Sequence, residues 1–131
     1  MEILECVSFI LVEGNSFLVE RRRLDKPLDP GAVAIPGGHL EDGESPIEAL
    51  HRELAEELAV TASRTDYVCT LLHRSEEFCK LHYYAVWDWS DDIEKHEAEA
   101  LLWLRFDEVN RLDLPVDHVA IAEYLRIYQA D

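Results

Sequence analysis

The sequence predicts an α/β domain in which helices cover both sides of a mixed β-sheet. Three observations point there. Apolar, β-branched runs of strand length recur along the chain, a strongly capped helix lies among them, and a second amphipathic segment occupies the C-terminal end.

Ile3 to Val12 and Phe17 to Arg22 read as two strands joined by a hairpin loop at Glu13-Gly14-Asn15-Ser16. Arg23 to Gly31 carries two prolines and a glycine and reads as loop, and Ala32 to Ile35 as a short strand ended by Pro36-Gly37-Gly38. The next element is a helix. Ser45 is its expected N-cap, Pro46 suits the first helical position, and Glu48 completes a Ser-x-x-Glu capping box. Ile47, Leu50, Leu54 and Leu58, spaced by three, four and four, form its expected core stripe. Tyr67 to His73, Leu81 to Trp89 and Leu101 to Phe106 read as further strands, with an acidic loop from Ser90 to Glu99. The last helix is expected to begin near Asp117 and to keep Ile121, Tyr124, Leu125 and Tyr128 on one side.

With 131 residues, 48% of them hydrophobic, the chain reads as one folded domain over residues 1–131 rather than an acidic disordered segment. Its 12 basic against 28 acidic residues give a net charge of −16, which argues against a grip on nucleic-acid phosphates or an anionic membrane. Cys6, Cys69 and Cys79 fit neither a disulfide ladder nor a Cys-x-x-Cys zinc half-site, and the six histidines make no zinc pattern. Buried thiols in a reducing compartment are expected. Acidic residues stand near the N-terminus where a secretory signal needs positive ones, so the expected location is cytoplasmic.

The capped helix works against itself. Glu53, Glu56 and Glu57 share one face at i, i+3 and i+4, and Glu56 and Glu57 also lie near the negative end of the helix dipole. A solvated acidic face is one reading. The other is a hard divalent cation, for which carboxylate oxygens are suitable ligands.

The flanking residues weigh on this choice. From Gly38 there follow five residues, Glu44, seven residues, then Arg52-Glu53-Leu54-Ala55-Glu56-Glu57, with Ala59 and Val60 after one more residue. This resembles the Nudix box, with Ala59 where the family has its second glycine. The resemblance implies an α/β/α sandwich and Mg²⁺-dependent cleavage, with Mn²⁺ as a substitute, of a nucleoside diphosphate linked to another group. It further implies that Glu53, Glu56 and Glu57 hold metal, with the Gly37 carbonyl as a further ligand. Glu53 also becomes a candidate catalytic base, Arg52 and Glu44 orient the catalytic carboxylates, and Gly38 lies at the substrate.

Outside the box, Glu97 resembles the loop glutamate of MutT-like members, a candidate metal ligand or general base, although it is also one acid among several in its loop. Arg21, Arg22, Arg23 and Lys26 concentrate four of the twelve cations, and Arg22 matches an arginine that MutT-like enzymes use near substrate. Strand alternation lets only some of them face one site. Leu114-Pro115-Val116-Asp117 resembles the segment from which MutT-type enzymes read a purine edge, but the sequence favours Asp117 as the N-cap of the last helix.

The resulting expectation is a MutT-like pyrophosphohydrolase that converts a nucleoside triphosphate, for example an oxidised purine nucleotide, to a monophosphate and pyrophosphate. Its partner would be a small nucleotide, not a duplex or a membrane, and the chain would be a monomer or homodimer. A dinucleoside-polyphosphate or ADP-ribose hydrolase is the alternative, and a nucleotide-sensing module without turnover is another. Against the first two stand Phe78 in place of a subtype tyrosine and Ser75 in place of a subtype proline.

Overall fold

The computed structural model describes residues 2–74 and 77–129; Ser75 lies outside them. The chain runs β1 (Leu4–Glu13), β2 (Ser16–Arg21), β3 (Val33–Ala34), β4 (Gly37–His39), α1 (Pro46–Leu58), β5 (Thr61–Arg74), β6 (Phe78–Ser90), β7 (Ala100–Arg105), a short 3-10 turn (Phe106–Arg111) and α2 (Pro115–Tyr128). β1 and β6 pair in parallel and the remaining pairs are antiparallel, so the sheet is mixed.

β1 organises the molecule. It pairs with β6 along one side, with β4 at Cys6 to Ser8 on the other, and with β2 beyond, at Val12 and Glu13. Cys6 to Val12 are all buried, as expected for a strand covered on both faces. Val7, Phe9 and Leu11 pack with Leu50, Leu54 and Leu58 of α1, whereas Ile10 and Val12 belong to a second cluster with Ala120, Ile121 and Tyr124 of α2. The alternation along β1 thus divides one strand between two helical layers.

The start of α1 matches its sequence signal. The Ser45 hydroxyl accepts from the Glu48 amide and the Glu48 carboxylate accepts from the Ser45 amide. Three fully buried leucines contribute roughly 1.5–3 kcal/mol each, far above the few tenths that like-charged carboxylates cost on a helix. Packing therefore forms the helix and the acids are carried along. Its end departs from the usual glycine: Ala59 takes a left-handed conformation, with φ of 60°.

Several expectations are corrected. Ile47 is 40% exposed and Ala49 takes its place in the core, because the buried arc of α1 lies further round the helix. Gly37 to His39 form a strand where a break was expected, since glycine permits close pairing against β1. β5 starts at Thr61, directly after α1; its polar, largely exposed first half hid the strand period. α2 starts at Pro115 with Leu114 as N-cap and no side-chain cap, so Asp117 is not the N-cap but a residue of the first turn. No helix among the described residues is long and apolar enough to cross a membrane.

Candidate active site

Four parts of the chain surround one cleft of about 530 Å³: β4 with Gly37 and Gly38, α1 with Arg52, Glu53, Glu56 and Glu57, the end of β2 with its loop, and the acidic loop at Glu97. Asp117 of α2 lines its inner wall. The cleft thus gathers nearly every residue singled out in the sequence; Glu44 stands outside it, behind Arg52.

Arg52 organises the carboxylates. Its Nε and Nη2 donate to both Glu44 oxygens at 2.7 and 2.9 Å, Nη2 also donates to the His39 carbonyl at 2.9 Å, and Nη1 donates to Glu53 and Glu56 at 2.8 and 3.1 Å. The two-pronged bond to Glu44 fixes the guanidinium plane, and the Arg52 pairing holds the Glu44 carboxyl down at about 2. Glu44 in turn accepts from the Glu41 amide at 2.9 Å, so the loop before α1 is tied to the same group.

Glu53 is 7% exposed, and burial raises its carboxyl above the ordinary range against the pull of Arg52. Gly38 lies against it: a β-carbon at position 38 would stand 2.3 Å from the Glu53 carboxyl carbon. Glu57 is pushed upward by burial first and by the adjoining Glu97 carboxyl second. Glu56 is the exposed member, at 54% of its side chain.

Of the basic cluster, Arg22, Arg23 and Lys26 line the cleft, while Arg21 ends β2 facing solvent. Arg22 donates from Nε to the Leu28 carbonyl at 2.9 Å and pairs with Glu20 at 3.5 Å. Lys26 reaches Glu97 at 3.7 Å. Only some of the four face the site, as expected, but strand alternation would have put Arg23 with Arg21; the strand ends at Arg21, and both Arg22 and Arg23 line the cleft.

Glu20 was not among the residues singled out. It is 6% exposed, lines the cleft, and burial pushes it up to about 7 despite Arg22 and Lys26 nearby. A glutamate inside the run Phe17-Leu18-Val19-Glu20 is the signal that a buried strand carries a site residue. Asp117, 3% exposed, accepts from the Tyr83 hydroxyl at 2.7 Å and from the Ile35 amide at 3.1 Å. Burial pushes it up to about 6, with those two hydrogen bonds restraining the rise.

Carboxyls this desolvated are poor anions when alone. The carboxylates of Glu53, Glu56, Glu57 and Glu97 line one cleft, burial disfavours ionisation of Glu53 and Glu57, and a hard divalent cation would remove that penalty. The donor set therefore fits such an ion.

The family model described as NUDIX domain matches residues 5–125. The chain belongs to the Nudix family. The CTP pyrophosphohydrolase of Escherichia coli K12 is 29% identical over 126 residues, covering 94% of this chain and 91% of that protein. The 8-oxo-dGTP diphosphatase of the same strain is 27% identical over 110 residues, covering 83% and 84%. Among solved structures, the E. coli ORF135 protein superposes with a TM-score of 0.83 at 29% identity, covering 100% of this chain and 96% of that one. The fold is the α/β sandwich of MutT-like Nudix hydrolases, and the family's reaction class is phosphoanhydride hydrolysis.

Proposed function

We propose that this Nudix protein is a Mg²⁺-dependent pyrophosphohydrolase that cleaves a nucleoside triphosphate bearing an amino-substituted base into the monophosphate and pyrophosphate. The observation that carries the reading is that Glu53, Glu56, Glu57 and Glu97 line one cleft together with Arg22, Arg23 and Lys26. Glu53, Glu56 and Glu57 would hold Mg²⁺, or Mn²⁺ in its place, with the Gly37 carbonyl and Glu97 as further ligands. Bound there, the ion supplies charge neutralisation at the phosphates and a lowered pKa for an attacking water.

The chain's own groups supply the rest. Arg22 and its cationic neighbours offset the phosphate charge in a protein of net charge −16. Glu53, buried and held through one oxygen by Arg52, is the group we assign to accept the proton of the attacking water. Arg52 and Glu44 fix its position, and Gly38 leaves room beside it.

Asp117 supports the choice of base. Above about pH 6 it is ionised and only accepts, and its two oxygens retain lone pairs beyond those used by Tyr83 and Ile35. Such a group favours an exocyclic amine. Cytosine and oxidised guanine, the bases in the substrates for which the two relatives are named, both carry one.

The test is a panel of canonical and oxidised nucleoside triphosphates, dinucleoside polyphosphates and ADP-ribose with Mg²⁺ or Mn²⁺, identifying each product and repeating the best case with Glu57→Gln. Release of pyrophosphate, abolished by chelation and reduced on the order of a hundredfold in the variant, is expected. Turnover without added metal or unimpaired in Glu57→Gln overturns the site. Turnover confined to ADP-ribose or dinucleoside polyphosphates overturns the substrate class. Tight binding without turnover across the panel makes the protein a sensor.

A further inference from the structure

We propose that Cys6, His39 and Cys79 form a second cation site beside the carboxylate cluster, selective for a thiophilic ion of the zinc class, with Glu77 orienting the imidazole. Three adjacent strands build it. β4 pairs with β1 so that His39 stands opposite Cys6, and β1 pairs with β6 so that Cys79 is opposite Leu4, a diagonal neighbour of Cys6. Residues two apart on a strand share a face, so the three side chains meet on one side of β4, β1 and β6.

Ligand atoms of the three residues lie within 4.8 Å of one another. Around zinc, with bonds of about 2.3 Å to sulfur and about 2.0 Å to nitrogen, tetrahedral ligand atoms stand roughly 3.5–3.8 Å apart. His39, exposed over 48% of its side chain, has rotational freedom toward that spacing. Glu77 Oε1 is 2.8 Å from His39 Nε2 and accepts a weak bond from the Cys79 thiol at 3.7 Å. A carboxylate on the second ring nitrogen is the usual device for fixing a ligating imidazole.

All three residues line the cleft, so an ion has a way in. The chemistry of the two donor sets separates them. Carboxylate oxygens suit Mg²⁺ and Mn²⁺, whereas two thiols and an imidazole favour zinc. A disulfide between Cys6 and Cys79 would use the sulfurs but leave the His39 and Glu77 arrangement without a role. The proposal does not depend on nucleotide hydrolysis. The ion would pin β4, whose His39 carbonyl also receives Arg52, to the two central strands.

The test titrates the reduced full chain with Co²⁺ and then Zn²⁺ in excess Mg²⁺, which occupies the carboxylates. One equivalent of Co²⁺ should bind with thiolate-to-cobalt charge-transfer absorption, be displaced by Zn²⁺, and raise the melting temperature. Cys6→Ser and Cys79→Ser should lose that absorption, Cys69→Ser should keep it, and Glu77→Gln should weaken binding about 10–100-fold. Should the buried serine variants not fold, His39→Asn at its exposed position decides, with weakened cobalt binding expected at unchanged circular dichroism. Absence of charge-transfer absorption overturns the site, as does its persistence in Cys79→Ser or an undiminished affinity in His39→Asn. A Cys6–Cys79 disulfide that, once reduced, binds no cobalt also overturns it.

Discussion

Gly38 lies flat against the carboxyl group of Glu53, so closely that a methyl group there would stand 2.3 Å from its carboxyl carbon and from one of its oxygens. Van der Waals contact requires well over 3 Å, so the side chain of Glu53 would have to move. Gly38→Ala should therefore reduce turnover on the order of a hundredfold, since an ångström-scale displacement at a reacting group costs about that much. Far-UV circular dichroism should stay unchanged. Wild-type rates in the variant would show that Glu53 is not the proton acceptor.

Asp117→Asn keeps the shape of the side chain and replaces one acceptor oxygen with a donor. Against an exocyclic amine that change is repulsive. KM for nucleotides with amino-substituted bases should rise about tenfold, while kcat changes little. Uracil and thymine nucleotides should gain relative to them. A selectivity unchanged across the four bases would remove Asp117 from base recognition and leave it as the partner of Tyr83 and Ile35.

The ion-free protein should lose stability as pH rises. Glu20 moves from its ordinary 4.5 to about 7 on folding, and Asp117 from 3.8 to about 6. The folded chain thus binds these protons more tightly than the unfolded chain, so each contribution is fully present below the ordinary value and is lost as pH rises through the raised one. In the presence of a chelator, the melting temperature should fall from about pH 4 through about pH 7, and Glu57, raised to about 9, extends the fall beyond that. Adding Mg²⁺ at pH 8 should recover part of the loss. A melting temperature that climbs steadily over the same interval would contradict the burial-driven shifts.

At the end of α1, Ala59 adopts a left-handed backbone at φ of 60°, which costs a residue with a β-carbon about 1 kcal/mol. Ala59→Gly should remove that cost and raise the melting temperature by about 4 °C, provided the added freedom of glycine in the unfolded chain does not offset it. Val60, buried directly after the cap, limits any change to the local turn. A lower melting temperature in calorimetry would show that unfolded-state entropy outweighs the relief.

What the sequence determined by itself was whatever is encoded over a few residues. The Ser45 capping box, the leucine stripe of α1 and the shared face of Glu53, Glu56 and Glu57 depend only on helical spacing, and the hairpin at Gly14 and Asn15 depends on local turn chemistry. The box from Gly38 to Val60 was legible for that reason. Periodicity misplaced Ile47 because it fixes a face but not which part of it the sheet covers.

The tertiary structure alone decided which distant side chains meet. Asp117 reads as an N-cap until Tyr83 and Ile35 arrive at its carboxylate from other elements. Glu20 looks like one more acid in a charged chain until β3, β7 and the loop at Glu97 enclose it. Cys6, His39 and Cys79, too far apart in sequence to suggest a common ligand set, become neighbours through strand register. Register is set by the sum of core packing on both faces of the sheet, a collective quantity that no short window of residues contains.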